Sequence, residues 1–110
     1  MRAFRKNDRY VLVNMTGNKN NYLSIKLSDR ESKTIFRNLE NNIINCSVNS
    51  DMILNQVERA LIRIKHKYKL EFYITEIEFI SSDSFSEDIY EKMIFRLLSN
   101  IISKEHPNSA

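Results

Sequence analysis

The apolar positions of this chain change period along its length, and each change predicts an element. Residues 9–15 (RYVLVNM) and 22–27 (YLSIKL) are rich in strand formers, as half-buried β-strands are. In the second, Tyr22, Ser24 and Lys26 fall on one face and Leu23, Ile25 and Leu27 on the other. The intervening TGNKNN holds the only Gly among turn-forming residues, so the pair predicts a β-hairpin. Ser28 then opens SDRE, which reads as a capping box with Glu31. Behind it, Ile35, Phe36, Leu39 and Ile43 share a narrow helical stripe. That spacing predicts a first helix over residues 28–42, followed by an Asn-rich loop.

The helical period is clearest after Asn49 and Ser50, either of which can cap. Ile53, Leu54, Val57, Ala60, Leu61, Ile64 and Tyr68 share one arc about 120° wide, which predicts a helix over residues 51–67. Period two returns in LEFYITEIEFI, residues 70–80, where Leu70, Phe72 and Ile74 alternate but Ile77 and Phe79 are out of phase. One extra residue near Thr75 or Glu76 would restore a single apolar face, so the pattern predicts a β-bulge there; a strand covered on both faces is the alternative.

Ser84 and Glu87 read as a second capping box, opening a last helix over residues 87–103. Its apolar residues, from Ile89 through Ile102, spread over about 240° of the helix circumference, more than packing on one sheet requires. This helix is therefore expected to be sandwiched centrally or shared with a second chain. Ile94, Phe95, Leu98 and Ile102 are the candidate interface residues.

The predicted order β-β-α-α-β-α gives an α+β fold with a small three-stranded antiparallel sheet and helices on one face. The pattern predicts one domain over residues 1–106, with residues 1–8 as a mobile basic arm and 107–110 as a frayed tail. A chain of 110 residues is long enough to bury a core without metals or disulfides. One Gly cannot build a phosphate-cradling loop or a dinucleotide fingerprint. Cys46 is the only cysteine, so no disulfide within the chain and no cysteine metal set can form. The N-terminal residues carry no long apolar run, so no export signal is expected. The expected setting is reducing and cytoplasmic, with no transmembrane segment.

Charge alters this picture because it is uneven. Residues 1–37 hold nine Lys/Arg against three Asp/Glu, whereas residues 71–110 hold three against eight, within a net charge of +3. This sequence dipole either steers a charged partner or cancels when the two halves interleave. Two basic clusters are candidate anion-binding residues for nucleic acid or acidic lipid. One is Arg59, Arg63, His66 and Lys67 on the second helix; the other is Arg2, Arg5 and Lys6 on the arm.

Chemistry is sparse. His66 and His106 are the only histidines, and Cys46 has no predicted base beside it, which argues against nucleophilic catalysis. Glu76 and Glu78 share a strand face, which an exposed face explains more simply than a metal or an acid–base pair. No catalytic residue, metal or cofactor is expected. The reading that follows is a small, non-enzymatic protein-interaction module, self-associating as a homodimer through its last helix. Its alternative is an anion-binding module.

Overall fold

The computed structural model describes residues 1–17, 19–40 and 47–105. The elements are β1 (Arg2–Lys6), β2 (Arg9–Thr16), β3 (Lys19–Ser28), β4 (Ile35–Asn38), α1 (Ser50–Tyr68), β5 (Tyr73–Phe79) and α2 (Ile89–Glu105). The class is α+β in a single domain, but the sheet has five strands in the order β1-β2-β3-β5-β4, with β4 parallel to β5. The expected three-stranded antiparallel sheet is therefore too small, and two segments account for the difference.

The first segment is the N-terminus. Residues 2–6 are a strand, not a mobile arm, and pair antiparallel with β2 from Arg2↔Val13 to Lys6↔Arg9. Asn7 and Asp8 make the turn, with Asn7 at φ 57°, a conformation that Asn tolerates better than most side chains. The second segment is residues 28–42, expected to be helical. Ser28 ends β3, and its hydroxyl accepts from the Arg30 N–H at 3.1 Å, a local turn in place of a helix cap. Ile35–Asn38 then adds to the free side of β5. A stripe of four apolar residues fits a short strand as well as a helix, and the open edge of β5 decides between them. The last two residues of that predicted helix and Ile43 of its stripe lie outside the described residues, as do Cys46, His106 and the predicted tail.

The hairpin of β2 and β3 forms as expected around Gly17 (φ 64°). The bulge also occurs where the phase break predicts it. Lys26 pairs with Glu76 and Leu27 with Ile74, leaving Thr75 as the extra residue of β5. Ile74, Ile77 and Phe79 are consequently all buried on one face. α1 runs from an Asn49 cap, whose side chain accepts from the Met52 N–H at 2.9 Å, to Lys69 in the left-handed region (φ 60°).

Both helices lie on the face of the sheet that carries Leu12, Leu23, Ile25, Ile77 and Phe79. They run parallel to each other, because Gln56 meets Tyr90 near their starts and Arg63 meets Phe95 further on. α2 packs on β2 and β3 and, at its side, on α1. Tyr90, Met93, Ile94, Leu97, Leu98, Ile101 and Ile102 are all buried, so the width of its apolar arc is divided between the sheet and α1. Of the two explanations for that width, central packing is the one realised. Ile94, Leu98 and Ile102 are core residues of one chain and offer no surface to a partner.

The start of α2 corrects a further expectation. Ser84 and Glu87 do not cap it. Gln56, 2% exposed on α1, accepts from the Tyr90 N–H (2.8 Å) and the Glu91 N–H (3.3 Å) with its side-chain oxygen. Its amide nitrogen donates to the Ser86 carbonyl at 2.7 Å. One side chain from α1 thus satisfies first-turn donors of α2 that have no partner inside the helix.

Candidate interaction surfaces

The sheet face away from the helices is uncovered by any described element. Its residues follow from the register: Arg2, Phe4 and Lys6 on β1; Arg9, Val11, Val13 and Met15 on β2; Tyr22, Ser24 and Lys26 on β3; Glu76 and Glu78 on β5; Ile35 and Arg37 on β4. Phe4, Met15 and Ile35 are exposed, at 46%, 70% and 59%. Val11 and Ser24 are nonetheless buried, with Phe4 opposite Val11 and the Arg9 side chain extended across β3 to Glu76 and Glu78. Long charged side chains cover apolar surface with their stems while keeping their heads wet.

The charged heads on this face form a connected ion network. Arg9 reaches across β3 to Glu76, and its other nitrogen is 3.5 Å from Glu78. Arg37 contacts the same two carboxylates at 3.5 and 3.9 Å from the opposite side. Lys26 lies 3.9 Å from Glu76 and 3.0 Å from Asp8. Three cations and three carboxylates therefore balance. Glu76 and Glu78 are committed to this network, and the described residues contain no group of three His, Cys, Asp or Glu that could hold a metal.

The basic face expected on α1 is also largely committed. Arg59 Nε donates to Glu91 Oε1 at 2.8 Å, and Arg63 Nη1 donates to Glu91 Oε2 at 3.0 Å. Arg59 also donates to the Glu87 carbonyl at 2.7 Å. The Arg59 bond, with Arg63 beside it, holds the Glu91 carboxyl below the usual range despite partial burial. The Arg63 guanidinium lies 4.1 Å from the centre of the Phe95 ring, and Lys67 sits 5.7 Å from it on an exposed side. Phe95, one of the four expected interface residues, is thus half-covered by cations from its own chain. Of the α1 cluster, His66 and Lys67 remain exposed without a carboxylate partner among the described residues.

Arg2, Arg5 and Lys6 are exposed on edge strand β1, where Arg5 lies over the Tyr10 ring at 5.6 Å. The two basic clusters do not merge. α2 turns Leu97, Asn100, Ile101 and Lys104 toward β1 and Glu91 and Phe95 toward α1, so it stands between them. The sequence dipole is cancelled in part by interleaving. Arg9, Lys26 and Arg37 meet Glu76 or Glu78, Arg59 and Arg63 meet Glu91, and Lys65 meets Glu71.

A cleft of about 790 Å³ opens at the start of α2 between Met52, Arg59, Phe85 and Glu87. It is lined by no histidine or cysteine, and the one strongly raised carboxyl among the described residues lies elsewhere. That group is Asp83, 8% exposed in the loop between β5 and α2. It accepts from the Tyr22 N–H at 2.7 Å, where the β3–β5 ladder has ended. Burial pushes it up to about 6, the Tyr22 bond pulls back, and Glu40 adds to the rise. Asn21, also buried, donates to the Ser84 carbonyl (2.8 Å) and to the Tyr90 hydroxyl (3.2 Å). Gln56, Asn21 and Asp83 escaped the sequence reading because lone polar residues inside apolar patterns carry no periodic signal.

No helix among the described residues is long and apolar enough to cross a membrane. Comparison of the chain with protein-family models, with curated proteins and with solved structures found no match.

Proposed function

We propose that this chain is a small, non-enzymatic protein-interaction module that self-associates as a homodimer through the uncovered face of its sheet, in a reducing cytoplasmic setting. The observation that carries the reading is the composition of that face. Exposed Phe4, Met15 and Ile35 surround a network in which Arg9, Lys26 and Arg37 are matched by Glu76, Glu78 and Asp8. A two-fold interface sets one patch against a copy of itself, and the balanced network at the centre of this face meets its copy without net repulsion, while Arg2 and Lys6 lie at its β1 rim. An α2 interface has lost its basis, since Ile94, Leu98 and Ile102 are already buried in the chain's own core. A polyanion site on α1 is less well served, because Glu91 occupies both Arg59 and Arg63.

Sedimentation velocity across a concentration series tests the proposal. A dimer is expected, and Phe4→Glu with Ile35→Glu should convert it to monomer with the fold retained by circular dichroism. A wild-type chain that sediments as a monomer at every concentration overturns it, as does a dimer indifferent to that pair of changes.

A further inference from the structure

A second surface, the outer edge of β1 and the groove on its helix side, adjoins the sheet face and is built for a different occupant. β1 is an edge strand. Alternate N–H and C=O groups of an edge strand point outward with no ladder to join. All five residues of β1 are exposed. Beneath it, on the helix side, runs a groove of about 310 Å³. Tyr10, Leu97 and Ile101 supply its apolar lining, with Arg5 and Lys104 among the residues around it. The chain thus presents a free strand edge directly beside an apolar slot.

Charge selects the occupant. Arg9, Lys26, Arg37, Arg59, Arg63, Lys65 and Lys92 each have a carboxylate within ion-pair distance, whereas Lys19, Arg30, Lys33, Lys67, Lys69 and Arg96 are exposed cations outside the β1 edge and its groove. Arg2, Arg5, Lys6 and Lys104 have no carboxylate partner among the described residues. Three of these four stand on β1 itself. A second copy of β1 laid along this edge would bring like charges opposite one another, which is destabilising in a strand pair. The edge therefore disfavours its own copy and favours a strand of opposite sign.

We propose that β1 and the groove beneath it bind an extended acidic peptide segment, which adds to the sheet as a sixth strand. The side-chain alternation fixes the motif. Carboxylates are wanted opposite Arg2, Arg5 and Lys6, and apolar residues opposite Ala3 and Phe4. The residue opposite Ala3 shares its face and enters the groove against Leu97 and Ile101. For an antiparallel strand the motif reads Glu-Glu-Val-Ile-Glu. Main-chain bonds supply affinity in this mode, and alternate side chains supply specificity.

The test is titration of the full chain with an end-blocked peptide carrying that motif, followed by amide chemical shifts. Three controls accompany it: a Lys-Lys-Val-Ile-Lys peptide, the acidic peptide with N-methylated central amides, and a single-stranded oligonucleotide of matched charge. Shifts confined to residues 2–6 and the 97–104 side of α2, seen with the acidic peptide alone, are expected. Arg5→Glu with Lys104→Glu should weaken binding by about tenfold or more, in keeping with the loss of close charge pairs, and leave sedimentation unchanged. That last result separates this surface from the self-association proposed above. Absence of shifts overturns the inference, as does equal binding of the lysine or N-methylated peptide. Tighter binding of the oligonucleotide also overturns it, and would point to a polyanion site instead.

Discussion

Asp83 is the residue whose environment has the clearest measurable consequence. Its folded-state value of about 6 lies above the ordinary 3.8, so the folded chain holds this proton more tightly than the unfolded chain. The protonated form is therefore the stabilised one. Stability from this group is fully present below about pH 4 and is lost as pH rises through about 6. A shift of about two units corresponds to about 3 kcal/mol. Asp83→Asn keeps an acceptor for the Tyr22 N–H and removes the buried charge. The variant should exceed wild type in urea denaturation at pH 7.5 and converge with it near pH 4. A constant difference across that range would refute this account. The comparison is needed because Glu91, Glu71 and Asp88, held low by cationic partners, lose stability in the opposite direction on acidification.

At the scale of elements, the docking of α2 depends on a cap supplied by α1. Gln56→Ala would leave the Tyr90 N–H and the Ser86 carbonyl without partners in a buried site, at a cost of about 2–4 kcal/mol. The loss should appear first as faster amide exchange in the opening turn of α2, with the β2–β3 hairpin unaffected. Exchange that rises uniformly over the molecule would instead mean that Gln56 supports the whole core. Leu98, fully buried between the sheet and α1, offers a comparison: Leu98→Ala should cost about 2–5 kcal/mol through the cavity it leaves. Its effect should be global, measured as a lower urea midpoint with an unchanged slope. β5 shows the same dependence on detail, since the single extra residue Thr75 keeps Ile74 on the core face alongside Ile77 and Phe79.

For the whole molecule, the decisive feature is where charge ends up. Parts of the basic and acidic segments meet across the sheet and between the helices, so the sequence dipole is reduced by pairing, with Arg2, Arg5 and Lys6 left on β1 unpaired among the described residues. Glu76→Gln with Glu78→Gln would leave Arg9, Lys26 and Arg37 facing only Asp8. The variant should then elute from an immobilised polyanion at higher salt than wild type, since each added cationic contact steepens salt dependence. Elution at an unchanged salt concentration would show that these three side chains are not free to turn outward. Arg2, Arg5, Lys6 and Lys104 stand together around one strand edge and its groove without partners among the described residues, which is why the acidic peptide is assigned there.

The amino-acid sequence alone determined the elements whose signal is periodic and local. α1 is legible in seven apolar positions on one arc, the hairpin in alternation around Gly17, and the Thr75 bulge in a break of phase. Those patterns arise because the backbone period dictates which side chains share a face. What only tertiary structure decided are the matters that depend on what lies opposite. Residues 35–38 became a strand because β5 offered an edge, and residues 2–6 became one because β2 did. Ile94, Leu98 and Ile102 became core because the sheet and α1 together absorbed a wide apolar arc. Arg59 and Arg63 became structural because Glu91 stands within 3.0 Å of both, and no spacing along the chain records a partner about thirty residues away.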